Sequence, residues 1–145
     1  MTAKELLAKE TARKENVPSG GVLMRDLDNH DTVTDWPVRC ETVGGHDGTE
    51  LCEVLNYFID GVPMVYCGNE LCCEAKLSMF ANRFYMGNFE VTDREALKKT
   101  DAGIHRADIM RTLNTMRKEN KVLRSGITEY LDHGENVIAF KRIYD

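Results

Sequence analysis

Two short apolar runs, each emptying into a cluster of polar side chains, constrain this chain more than any other feature. The first, Gly21-Val22-Leu23-Met24, gives way to Asp28-Asn29-His30-Asp31; the second, Val62-Pro63-Met64-Val65-Tyr66, gives way to Gly68-Asn69-Glu70. Both have the length of strands, Val22 to Leu27 and Val62 to Tyr66, with Pro63 tolerable only near a strand start because it cannot donate to a ladder. Between them Leu51, Val54, Leu55 and Phe58 fall at i, i+3, i+4 and i+7, which predicts an amphipathic helix over 49–59. A charged helix is expected from Lys4 to Glu15. Helix, strand, helix, strand, with polar residues closing each strand, is the order of βα units on a parallel sheet, and such sheets bind ligands at the carboxyl ends of their strands. Asp28 and Asn29 also admit a plainer reading, as turn residues bonding nearby backbone.

The rest of the chain narrows the class. At 145 residues and 42% hydrophobic content it has the size and core of one ordinary soluble domain. A formal charge of −5, with no basic run to track a phosphate backbone, argues against nucleic acid. No stretch is long and apolar enough to span a bilayer, and the first residues lack the apolar core of a signal peptide, which is compatible with the cytoplasm without fixing the location. Five cysteines at irregular spacing point to reduced thiols. A metal site built from Cys40, His46, Cys67, Cys72 and Cys73 lacks the paired C-x-x-C spacing typical of zinc, so neither a metal nor a cofactor is expected. The stretch "TDWPVRCETVGGHDG" reads as a long loop without the lysine of a phosphate cradle. A second irregular stretch, "LCCEAKLSMFANRFYMGNFEVTD", is expected to lie over the sheet end, with Met79, Phe80, Phe84 and Tyr85 as core or lid packing. Beyond it, Asp101 as a cap opens a helix to about Asn120, with Ile109, Leu113 and Met116 on one face. Ile127 to Leu131 and Val137 to Arg142 flank "DHGEN" as an antiparallel hairpin. The change of pattern near Arg124-Ser125-Gly126 predicts a boundary between residues 1–124 and 125–145.

These motifs resemble the alpha-amylase family of glycoside hydrolases. Leu27-Asp28-Asn29-His30-Asp31 is similar to the family's fourth signature region, at the end of the seventh barrel strand, and "DGVPMVYCGNE" to its eighth strand. "LNTMRKENKVLRSG" resembles the final barrel helix, and "ENVIAFKR" a strand of the β-domain that follows. The four stand in the family's order over nearly the whole chain. The resemblance implies an α/β fold: the C-terminal part of a (β/α)8 TIM barrel, strands 7 and 8 with their helices, followed by a β-hairpin from the C-terminal β-domain. It also implies that Asp31 is the carboxylate stabilising an oxocarbenium-like transition state and that His30, with Asn29 beside it, hydrogen-bonds sugar hydroxyls. The implied partner is an α-linked glucose oligo- or polysaccharide. Other candidates keep two readings each. Glu70 faces the cleft or bonds its own loop, Arg39 lines the pocket or is a solvated loop residue, and Tyr66 stacks on a sugar or fills the rim.

A retaining glycosidase needs a nucleophile and an acid/base flanking the scissile bond. The family's Gly-x-Arg-x-Asp nucleophile motif is missing from every strand expected here; Gly103-Ile104-His105-Arg106-Ala107-Asp108 is off by one residue and falls in a helix. No strand-end Glu suits the general acid, and the family's usual calcium ligands belong to segments not found in this sequence. About three quarters of a ~250-residue barrel is expected to be missing, and the first residues read as the middle of a helix without a cap. The expectation is therefore an inactive C-terminal fragment whose partners are the missing barrel segments, or further copies joined through exposed strand edges. A noncatalytic sugar-binding or interaction module is the alternative. Exact linkage, and hydrolysis against transglycosylation, stay open.

Overall fold

A computed structural model describes residues 2–30, 39–75, 93–131 and 134–144. Helix α1 (Ala3–Glu15) opens with a capping box: the Thr2 side chain accepts from the Glu5 backbone N–H while the Glu5 carboxylate accepts from Thr2 N at 2.8 Å. The cap missing from the sequence reading is therefore there. Its last turn carries Arg13 and Lys14 at the negative end of the dipole. Strand β1 (Met24–Arg25) follows, then helix α2 (Cys40–Phe58), strand β2 (Val62–Pro63), a 3-10 turn (Asn69–Leu71), helix α3 (Arg94–Leu97), the long helix α4 (Asp101–Glu119), helix α5 (Lys121–Ser125), and strands β3 (Ile127–Leu131) and β4 (Ala139–Ile143).

β1 and β2 pair in parallel, Met24 opposite Val62 and Arg25 opposite Pro63, with Val62 N–H donating to Leu23 O and Met64 N–H to Arg25 O, both at 2.7 Å. β3 and β4 form a separate antiparallel hairpin, in which Glu129 pairs with Lys141 at 2.9 Å and Tyr130 meets Phe140 edge-on. Arg142 ties the hairpin to the end of α5 by donating to the carbonyls of Val122 and Leu123, and the Lys14 ammonium reaches Thr128 O at 2.8 Å.

This architecture overturns the expected fold class. The described residues are mostly helical, and their strands form two separate two-stranded sheets rather than strands 7 and 8 of a (β/α)8 TIM barrel leading into a β-domain. The physical reason lies in β1. A barrel strand is buried on both faces, whereas Val22 and Met24 are 70% and 66% exposed, so the first apolar run has nothing to hold it extended beyond two residues.

Where expectations of local structure rest on helical spacing they agree closely: α1 and α4 lie within a residue of their predicted bounds, although Thr100, not Asp101, caps α4, accepting from Gly103 N at 3.0 Å. Of the stretch read as a loop before residue 49, residues 40–48 are instead the first turns of α2, broken once where Gly45 takes φ 65°, and residues 34–38 lie outside the described residues. The apolar core is small: Tyr57, Met110 and Leu113, with Val54, Phe58, Val65 and Ile109 against them. Leu51 and Met116, expected on core-facing stripes, are 71% and 36% exposed.

Candidate functional site

The buried face of α2 is polar. Glu41, Thr49, Glu53 and Tyr57 line it at helical spacing, and they meet Asp28 from beyond β1, Asn69 from the 3-10 turn and Arg106 from α4, all of them buried. Asp28 decides the local order. Its Oδ1 accepts from the backbone N–H of Cys40 at 2.9 Å, so this carboxylate, rather than the Arg39 side chain, caps the start of α2. Its Oδ2 lies 3.1 Å from Arg39 Nε. The turn-capping reading of Asp28 thus holds in a longer-range form: the helix it caps begins twelve residues downstream.

Arg39 is neither solvated nor open to a ligand, being 1% exposed. Beyond Asp28 it donates to Asn69 Oδ1 at 2.9 Å and to the carbonyls of Cys67 and Cys73, and its guanidinium lies 5.5 Å from the centroid of the half-buried Tyr66 ring. Gly68 makes room for it. At φ 98° it has a backbone that side chains rarely adopt, and a Cβ there would meet Cys73 Cβ at 2.7 Å and Arg39 Nη2 at 3.1 Å. Glu70 takes the structural role: it accepts from Gly68 N at 2.8 Å and pairs with Arg94 at 2.7 Å. Asn29 donates to Asp26 at 2.8 Å, and His30 is half-buried beside it. Asp31 lies outside the described residues, as do Met79, Phe80, Phe84 and Tyr85.

The parallel pairing of β1 and β2 therefore brings Asp28, Asn29 and His30 to the same end of the molecule as Tyr66 and Glu70. Of these, Asn29, His30, Tyr66 and Glu70 keep some exposure, while Asp28 and Arg39 form the layer beneath.

Two groups in the network are not among the site candidates read from the sequence. Glu53 accepts from Asn69 Nδ2 at 3.3 Å, and burial pushes its carboxyl up to about 7 against the opposing pull of Asn69 and Arg106. A carboxyl held neutral near pH 7 has the acidity of a general acid, but at 1% exposure it reaches no substrate here. Arg106, fully buried on α4, is held by Glu41 at 3.1 Å, by the His46 carbonyl at 2.7 Å and by Glu50 at 3.5 Å. This is the arginine of the helical Gly-x-x-Arg decoy, and its work is to bind α4 to α2. Burial and the neighbouring Asp28 push the Cys40 thiol up to about 12, so it stays protonated.

No protein-family model matches the sequence, and no curated protein is significantly similar to it.

Proposed function

We propose that this chain is the α-glucan-contacting part of a glycoside hydrolase related to the alpha-amylase family, with Asp31 as its transition-state carboxylate and His30, Asn29 and Tyr66 as sugar contacts. One observation carries the reading: the two segments whose sequences resemble that family's strand ends are parallel neighbours, Met24 against Val62, so their polar ends converge. A buried layer of Asp28, Arg39 and Asn69 beneath that end gives the rigid support a binding site needs. A ring such as Tyr66, half-buried and backed by a guanidinium, is suited to stacking on a sugar face, while an imidazole and an amide donate to hydroxyls. Neither a nucleophile nor an accessible general acid accompanies Asp31 among the described residues, so the chain by itself binds without turnover.

A noncatalytic sugar-binding module is the second reading, favoured by the closed Asp28–Arg39–Asn69 layer, above which Asn29, His30 and Tyr66 keep some exposure. Electrophoresis through gels containing soluble starch tests what both readings share. Retardation that is lost in Tyr66→Ala and His30→Ala is expected, with no release of chromophore from an aryl α-glucoside. Unchanged mobility in starch would refute sugar contact, and turnover by the pure chain that is abolished by Asp31→Ala would refute the inactive-part reading.

A further inference from the structure

Beside the buried layer, one group of side chains has a composition that hydrogen bonding alone does not require. Glu41, His46 and Cys72 present a carboxylate oxygen, an imidazole nitrogen and a thiol whose ligand atoms all lie within 4.8 Å of one another. We propose that Glu41, His46 and Cys72 form a Zn2+ site, with water from the solvent side completing a tetrahedron.

The sequence builds this cluster through one irregularity. In a regular α-helix residues five apart point about 140° away from each other. The break at Gly45, φ 65°, turns His46 back so that its Nδ1 lies 2.8 Å from Glu41 Oε1. Cys72 arrives from the other side, at the end of the 3-10 turn, in a left-handed conformation, φ 56°. Its Sγ lies 3.6 Å from the Ala102 carbonyl.

The geometry needs small adjustments. Tetrahedral Zn2+ with bonds of about 2.0–2.1 Å to nitrogen and oxygen and about 2.3 Å to sulfur sets N···O near 3.4 Å and S···N near 3.6 Å. The His46–Glu41 pair would open by about half an ångström from its hydrogen-bonded 2.8 Å. His46 is half exposed, which gives the ion an entry path and the water its place. Glu41 is oriented by Arg106, which also meets Glu50, the kind of outer support that fixes metal-ligating carboxylates.

Charge also balances. Glu41, Glu50 and the Cys72 thiolate carry three formal negatives against one positive on Arg106, leaving two for the ion to cancel. A coordinated thiol is deprotonated, so binding must release the Cys72 proton. The donor set of one sulfur, one imidazole and one carboxylate suits zinc better than magnesium or calcium, which take oxygen alone. None of the paired cysteine spacings of structural zinc sites is involved, which is why the sequence reading sets aside a metal site that includes His46 and Cys72 and has no reason to add Glu41.

Titration of the metal-free full-length chain with Co2+, then Zn2+, tests the site. One Co2+ per chain with a thiolate-to-cobalt charge-transfer band, displaced by Zn2+, is expected; the band should vanish in Cys72→Ser, and affinity should fall about tenfold or more in His46→Gln. His46 is half exposed, so the glutamine variant keeps its fold and decides the matter even where Cys72→Ser does not. Zn2+ should also raise the melting temperature of the wild type and of Cys40→Ser more than that of His46→Gln. Absence of a band, a band that persists in Cys72→Ser but disappears in Cys40→Ser or Cys67→Ser, or affinity unchanged in His46→Gln would overturn the proposal.

Discussion

At the scale of single residues, stability here depends on charged groups taken fully out of water. Removing one member of such a pair leaves the other uncompensated, at a typical cost of about 3–5 kcal/mol. Arg39→Met is therefore predicted to lower the unfolding free energy by that amount, because Asp28 beneath it, 2% exposed, would be left without its cation. Urea denaturation checks this, and a loss under about 1 kcal/mol would show that the pair is wet. Glu53 makes a prediction of opposite sign. Its folded carboxyl titrates near 7 against 4.5 for an unperturbed one, so the folded chain holds that proton more tightly. Its contribution to stability is complete below pH 4.5 and is lost as pH rises through 7, a swing of about 3 kcal/mol. Glu53→Gln, which keeps the neutral shape, should flatten the stability profile between those values and make the chain more stable above pH 7. A profile with the same slope as the wild type would refute the assignment.

At the scale of elements, α1, α4 and the β3–β4 hairpin were legible because apolar spacing, caps and turn residues are local signals. The adjacency of the two polar-ended runs was also foreseeable, since strands separated by a helix tend to lie side by side in parallel. What was not legible is the burial of α2. Its apolar stripe, Leu51, Val54, Leu55 and Phe58, predicts that face inward, yet the face most deeply buried carries Glu41, Thr49, Glu53 and Tyr57. Those polar groups are inside because Arg106, 65 positions along the chain from Glu41, and Asn69 supply their partners. No local pattern encodes a partner so far away. The start of α2 was missed for a related reason: its cap is Asp28 from another segment, and Gly44-Gly45 reads as a loop when only neighbours are considered. Likewise the strand length expected of a barrel presumed apolar cover that Val22 and Met24 lack.

For the whole molecule, the consequence of the inverted α2 is that part of its apolar stripe, Leu51 above all, is left toward solvent while Val54 and Phe58 still pack on the core. Leu51, Cys52, Leu55 and Phe58 line a cavity of about 510 Å3 with Leu6, Ile138 and Phe140, and a neighbouring cavity of about 540 Å3 runs along Leu23, Met24 and Leu27 of the β1 segment. A strand edge beside apolar surface is a place where other chains add on. Concentration-dependent association in sedimentation velocity is predicted, weakened by Met24→Lys, and a monomer at every concentration would contradict it. The central claim concerns the opposite feature, the converging ends of β1 and β2. The most direct test is titration of the isotope-labelled chain with maltoheptaose, followed by amide NMR. Shifts concentrated on Asn29, His30, Tyr66 and Gly68 to Glu70 are predicted; no shifts at saturating sugar, or shifts confined to the apolar cavities between α1 and α2, would contradict it.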